Sequence, residues 1–376
     1  MEKIKVLSVF GTRPEAIKMC PLVKLLEKDE RIDAKVCVTA QHREMLDSVL
    51  DIFDVKPDFD LNIMAHGQTI IDICNKVLTG VDKVLKEFRP DIVLVHGDTS
   101  TTLNGALAAF YNKVPVGHVE AGLRTGDMYS PFPEEANRKL TGAIATLHFA
   151  PTESNEANLA KEGITENVFR TGNTVIDALL SVINKEHKFE DEELNKIDFD
   201  NKVILLTAHR RENWGEPMKN IFAAVREVAE QNDDVQIIFP MHKNPLIRDL
   251  ARESFKGIEH KVALIEPLEY VDFANLMNKC YLIMTDSGGI QEEAPALGKP
   301  VVVLRTETER PEAVKAGTVR LAGVERNRIF QITSELVNND VRESNTIFVS
   351  DASNLVRFKD KNDKFMKIDS NEGIYV

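Results

Sequence analysis

At 376 residues the chain is long enough for two or three domains, and at 43% hydrophobic and 28% charged it can build real cores. A net charge of −13 excludes bulk binding to nucleic acid or anionic lipid, so any phosphate must be held by local geometry. No stretch approaches the roughly 20 apolar residues of a membrane-crossing helix.

From the N-terminus, MEKIKVLSVFGTRPE meets a charged break too soon for a signal peptide, so a cytoplasmic protein is expected. Runs of β-formers predict strands at Lys5–Phe10, Ala34–Thr39, Ile92–His96, Val116–Val119 and Leu147–Ala150, with helix-like segments at Ala16–Lys28 and Thr69–Phe88. A second series is predicted at Val203–Thr207, Val235–Pro240, Val262–Ile265, Tyr281–Thr285 and Val301–Leu304, with Met218–Gln231 as a helix. Continuous apolar strands alternating with helices point to an α/β fold of parallel sheets covered on both faces. The charged segment Asp177–Asn201 reads as the connection between two doubly wound, Rossmann-like domains, placed at 1–175 and 176–340, with 341–376 as a tail. Cys20, Cys37, Cys74 and Cys280 show no CxxC or zinc spacing and read as reduced thiols.

In such sheets ligands bind beyond the carboxyl ends of the strands. Five strand ends carry charged or glycine-rich tips: 11-GTRPE-15, 97-GDTST-101, 120-EAGLR-124, 208-AHRREN-213 and 286-DSGGIQEE-293. Ser287, Gly288 and Gly289 suit a phosphate cradle, because glycines let backbone N–H groups approach an anion and the following helix adds its dipole. Glu293 then lies where it can accept from ribose hydroxyls. The alternative is a plain strand-to-helix turn with solvated glutamates. No GxGxxG fingerprint follows the first strand and no GxxxxGK(S/T) segment occurs, which leaves nicotinamide binding without support.

Asp98, Glu120 and Glu134 supply acids on loops expected along one crevice edge, where converging carboxylates raise one another's proton affinity. Each has a plainer reading: Asp98 as a helix cap, Glu120 paired with Arg124, Glu134 and Glu135 as solvated loop charges. Arg13, Lys18, Arg138, His209 and Arg310 are the basic partners, each otherwise a surface charge.

Together GTRPEAIKM, TAQHREML, HGDTSTT, HVEAGLR, PFPEEANR, TAHRREN, DSGGIQEEAPALGKP and TERPEAVKAGT resemble the non-hydrolysing UDP-N-acetylglucosamine 2-epimerases, in register from about residue 4 to about residue 336. The resemblance implies a glycosyltransferase B type fold with the substrate in a central cleft, a homodimer, and supply of UDP-N-acetylmannosamine to surface polysaccharides. It implies elimination of UDP to 2-acetamidoglucal and re-addition, with no nicotinamide cofactor or catalytic metal. Asp98, Glu120 and Glu134 match the family's catalytic acids, without an assignment to either sugar face, and His209 joins the catalytic set. Arg13, His209, Ser287, Gly288 and Gly289 match its diphosphate contacts. Lys18, Arg138 and Arg310 match further pocket residues, Glu293 the ribose contact, and Leu268 and Phe273 the uracil contacts. Gln41, Arg211 and His242 match parts of a second, activating substrate site.

The tail departs from the family pattern. Where YxxMxxxxNPYGDGxAS and an apolar helix are usual, the chain reads 340-DVRESNTIFVSDASNLVRFKDKNDKFMKIDSNEGIYV-376. An inactive or regulatory nucleotide-sugar-binding homologue is therefore the alternative to an active enzyme.

Overall fold

The computed structural model describes residues 2–40, 43–65, 67–308, 313–314 and 317–338, and the segments 356–359, 365–369 and 373–375. Gln41, Arg310 and the divergent stretch 340–355 lie outside the described residues. The chain divides into two compact units, Met1–Ala178 together with Ser350–Val376, and Leu179–Val349.

In the first unit seven parallel strands, β1 (Ile4–Phe10), β2 (Ile32–Val38), β3 (Phe59–Asp60), β4 (Ile92–His96), β5 (Val116–Val119), β6 (Leu147–Ala150) and β7 (Val168–Arg170), lie in the order β3-β2-β1-β4-β5-β6-β7. Side chains alternate across a strand, and here both faces are apolar. Val6 and Phe10 pack with Met19, Val23 and Leu26 of helix Arg13–Lys28. Leu7 and Val9 pack on the opposite face with Val77, Val81 and Val84 of helix Ile70–Phe88. Each such fully buried side chain contributes roughly 1.5–3 kcal/mol. Helix Arg13–Lys28 starts earlier than periodicity suggests, because Thr12 and Glu15 form a capping box and Pro14 fits the first turn.

The second unit repeats the plan with β8 (Lys202–Thr207), β9 (Val235–Pro240), β10 (Val262–Ile265), β11 (Leu282–Thr285), β12 (Val301–Val303) and β13 (Val319–Leu321), in the order β10-β9-β8-β11-β12-β13, all parallel. The segment expected as a bare connection is built into this unit. Leu179, Phe189 and Leu194 are buried with Val203, Leu205 and Ile283, and His187 Nε2 lies 2.6 Å from Asp272 Oδ1. Strands β3, β7 and β13 were not expected; at two or three residues each, they are too short to show a period.

Near the end of the chain, Val356–Lys359, Phe365–Asp369 and Gly373–Tyr375 form a three-stranded antiparallel sheet, where the family pattern has an apolar helix. All four cysteines are free, and burial pushes the Cys20, Cys37 and Cys280 thiols up to about 12, so these three are inert at neutral pH.

Candidate active site

Strand order reverses between β1 and β4 in the first unit and between β8 and β11 in the second. At such a switch point the two following loops run to opposite sides and leave a crevice at the carboxyl ends of the strands.

At the first switch point the loops are tied together by Glu15, which is 2% exposed. Its Oε2 accepts from the backbone N–H of Gly11 (3.1 Å) and Thr12 (2.8 Å). Its Oε1 accepts from Thr99 Oγ1 at 2.8 Å and Thr102 Oγ1 at 3.3 Å. Gly11 is required here, since a Cβ would stand 1.8 Å from Thr39 Oγ1. Burial pushes the Glu15 carboxyl up, against the pull of these hydrogen bonds.

Glu120 follows β5 and Asp98 follows β4, so two acids stand at adjacent strand ends. Glu120 Oε1 takes the Lys18 ammonium and, at 3.1 Å, the side-chain amide of Asn173. Arg124 is bound instead to Glu162, at 2.8 Å, which removes it from the plainer reading of Glu120. Glu120 holds φ at 62°, a left-handed conformation that costs a non-glycine residue about 1 kcal/mol. Burial pushes the half-buried Asp98 carboxyl up; Arg138, 3.7 Å away, and Lys18 oppose the shift, while Glu120 and Glu134 add to it. Asp98 is not the helix cap, because Thr99 fills that place by accepting from Thr102 N.

Glu134 and Glu135 are not loop charges but the first turn of helix Glu134–Ile144. Glu135 is fully buried and accepts from Thr125 N and Gly126 N, both at 3.1 Å, which shapes the preceding loop. Arg138, 7% exposed, lies 3.4 Å from Glu135 and within reach of Asp98. Beneath the acids three buried histidines occupy neighbouring strands: His96 on β4, His118 on β5 and, in register with it, His148 on β6. His96 Nε2 lies 3.8 Å from Glu120 Oε2, and His118 Nε2 meets Gly97 O at 2.7 Å.

At the second switch point Asp286, fully buried, is the corresponding tie. Its Oδ2 accepts from His209 N and Arg210 N, both at 2.9 Å, and from Asn213 Nδ2 at 3.1 Å. His209 Nδ1 lies 3.2 Å from Oδ1. Burial would raise the Asp286 carboxyl, but the His209 side chain and the two backbone N–H groups outweigh it and hold the acid below the usual carboxylate range. His209 stacks on His242, with ring centroids 6.1 Å apart. His242 Nδ1 accepts from Asn244 N at 3.1 Å, and burial followed by the charge of His209 lowers its proton affinity. His209, Arg211 and His242 thus line one cavity of about 390 Å³ with Arg210, Trp214 and Asn244.

Ser287, Gly288 and Gly289 lead from β11 into helix Ile290–Ala296. Gly289 sits at φ −64°, open to any residue, and a Cβ on it would meet only Glu293 Oε2 at 3.8 Å. Neither backbone strain nor packing within the chain explains this glycine. Leu268 and Phe273 are partly buried against the core under β8, β11 and β12.

The family profile for UDP-N-acetylglucosamine 2-epimerase matches residues 24–355. The UDP-N-acetylglucosamine 2-epimerase of Bacillus subtilis is 56% identical over 340 residues, covering 90% of this chain and 88% of the relative. This chain belongs to the UDP-N-acetylglucosamine 2-epimerase family. The family's structures superpose on it. That of Neisseria meningitidis, bound to UDP-GlcNAc, has a TM-score of 0.80 at 49% identity and covers 93% of this chain and 97% of the other. That of Methanocaldococcus jannaschii, in complex with UDP-GlcNAc and UDP, gives 0.72 at 37% identity, with 90% and 94% covered. The fold is the glycosyltransferase B type that the motifs imply.

Within this epimerase-family chain, the first unit brings Lys18, Asp98, Glu120 and Arg138 together, with Arg13 opening the helix that carries Lys18. The second gathers His209, Arg211 and His242, and places Ser287 directly after the Asp286 tie. Glu15, Asn173 and Asp286 belong to these clusters although no motif assigns them a role. A signal existed for Glu15, since Thr12-x-x-Glu15 is a capping-box spacing.

Proposed function

We infer that this chain is an active, non-hydrolysing epimerase that interconverts UDP-N-acetylglucosamine and UDP-N-acetylmannosamine. The observation that carries the reading is the acid cluster at the first switch point. Asp98 and Glu120 stand at adjacent strand ends, each beside a cation, with burial raising the affinity of Asp98 for a proton.

Carbon 2 of the sugar bears a non-acidic hydrogen, so the leaving group must depart as the proton is taken. A carboxylate takes the proton, the C–H electron pair becomes the C1=C2 bond of 2-acetamidoglucal, and the C1–O bond breaks with its pair on UDP. In return an acid protonates carbon 2 from the opposite face and a diphosphate oxygen closes on carbon 1. Asp98, Glu120 and Glu134 are the acids; Lys18 and Arg138 keep their charges in balance. The first unit supplies this chemistry and the second holds UDP.

His209, its Nδ1 turned to Asp286, offers its other ring nitrogen to the departing diphosphate. Ser287, Gly288, Gly289 and Arg13 complete the diphosphate contacts, and a glycine at 289 that the chain does not itself need leaves room for the anion. Glu293 accepts from the ribose, while Leu268 and Phe273 border the uracil. Arg211 and His242, in one cavity with His209, bind substrate as an activator beside the catalytic position. Among the described residues no helix is long and apolar enough to cross a membrane. A cytoplasmic homodimer feeding surface-polysaccharide synthesis fits the reading.

The test is a proton NMR time course on UDP-N-acetylglucosamine in heavy water. UDP-N-acetylmannosamine with deuterium at carbon 2 is expected. An unchanged substrate in the presence of measurable UDP binding would overturn the reading in favour of a binding homologue.

A further inference from the structure

Asn173 lies outside every motif that marks the site, yet its side chain reaches Glu120 across 53 residues of chain. Its Nδ2 donates to Glu120 Oε1 at 3.1 Å. Its Oδ1 accepts the backbone N–H of Val175, also at 3.1 Å, at the start of helix Val175–Val182. The second bond fixes the first: with the carbonyl oxygen committed to the helix start, the amide must turn its donor face to the carboxylate.

Glu120 needs such a hold. It extends from a left-handed backbone, and Oε1 also takes the Lys18 ammonium, a point charge on a flexible stem. Lys18 sets the charge but fixes the orientation poorly, whereas a short amide anchored to a helix start has few alternatives. Among the described residues, the charged or titratable groups around Glu120 include Lys18 from helix Arg13–Lys28, His96 from β4 and Asp98 from the loop after it.

We propose that Asn173 is a positioning residue for the epimerase reaction, which with Lys18 ties one oxygen of Glu120 and keeps that carboxylate charged and in one orientation. This rests on the reading of Glu120 as one of the reacting acids.

The test compares the unaltered chain with Asn173→Asp, Asn173→Ala and Glu120→Gln. It measures kcat and KM for UDP-N-acetylglucosamine, the pH profile of kcat/KM, and melting. Asp keeps an acceptor for Val175 N–H but turns a second carboxylate on Glu120, disfavouring its charged form. Asn173→Asp is expected to lower kcat about 10- to 100-fold with KM within about threefold, and to move the Glu120 limb of the profile to higher pH. Asn173→Ala, which loses both bonds, should show the kcat loss together with a lower melting temperature. If Glu120→Gln abolishes turnover while Asn173→Asp keeps the original kcat and profile, the proposal falls and the role of Glu120 stands. A kcat loss with no movement of the limb reduces Asn173 to a structural part and overturns it too. If Glu120→Gln turns over normally, the underlying assignment of Glu120 is what fails.

Discussion

Glu15 and Asp286 are counterparts: each is a buried carboxylate that fastens together the two loops flanking a switch point, one in each unit. Glu15 comes from the first turn of the helix after β1 and takes the Thr99 and Thr102 hydroxyls at the start of the helix after β4. Asp286 comes from the loop after β11 and takes N–H groups from the loop after β8. Their environments push in opposite directions, Glu15 towards the neutral acid and Asp286 towards the anion. Burial is the cause at Glu15, where it outweighs the hydrogen bonds, whereas at Asp286 the His209 side chain and the backbone N–H groups of His209 and Arg210 outweigh burial.

Glu15→Gln should therefore be tolerated. The Gln oxygen can keep the Gly11 and Thr12 N–H groups while its NH₂ donates to Thr99 and Thr102 hydroxyls turned about. A stability loss within about 1 kcal/mol is expected by urea denaturation, against about 3 kcal/mol for Glu15→Ala, which takes the acceptor from the Gly11 and Thr12 N–H groups. Equal losses for the two variants would contradict this.

Asp286→Asn should be costly, because the site stabilises a negative charge that Asn lacks. A loss of about 2–3 kcal/mol is expected, with UDP affinity at least tenfold weaker through displacement of His209. With a native proton affinity below the unfolded one, Asp286 adds stability above the unfolded carboxylate value of about 3.9, and loses it as pH falls through its native value. The variant should lack this acid-limb decline.

His96, His118 and His148 set a second, higher acid limit. Burial drives them down to about 4, about 3 and about 4 respectively. Below about pH 6.5 the unfolded chain takes a proton on each while the folded chain does not, so stability falls with pH from there until the native values are reached. In mid-window each histidine removes about 1.4 kcal/mol per pH unit. Denaturant midpoints between pH 7 and pH 5 should drop steeply, and His118→Gln should flatten the slope by about a third. A pH-independent midpoint across this range would rule the histidines out.

Gly289→Ala separates a structural glycine from one that makes room. Its φ and the 3.8 Å contact predict stability within about 0.5 kcal/mol of the parent. UDP affinity should fall about tenfold, and further in Ser287→Leu. Unchanged UDP affinity in both variants, measured by calorimetry, would remove the stretch from the phosphate site.

The apolar strands and their alternation with helices could be read directly from residues such as Val6 to Phe10, because burial on both faces leaves a continuous run. Charged strand ends were legible for the same reason: nothing in a turn calls for Asp98 or Glu120. What stayed hidden were pairings set by strand order. Lys18 and Glu120 are 102 residues apart, and Asp286 meets His209 only because β11 lies beside β8. Asp286 stood in plain view before Ser287, but which loop it fastens is a fact of topology rather than of its neighbours.

The left-handed backbone at Glu120 places this residue in conflict with any selection for robustness alone. Glycine there would relieve the strain, so Glu120→Gly should melt above Glu120→Ala, the reverse of the usual ranking of these two residues. A library screened only for heat resistance would tend to discard the acid at that position. On the proposed role of Glu120 in the reaction, a glutamate at this position trades durability for chemistry.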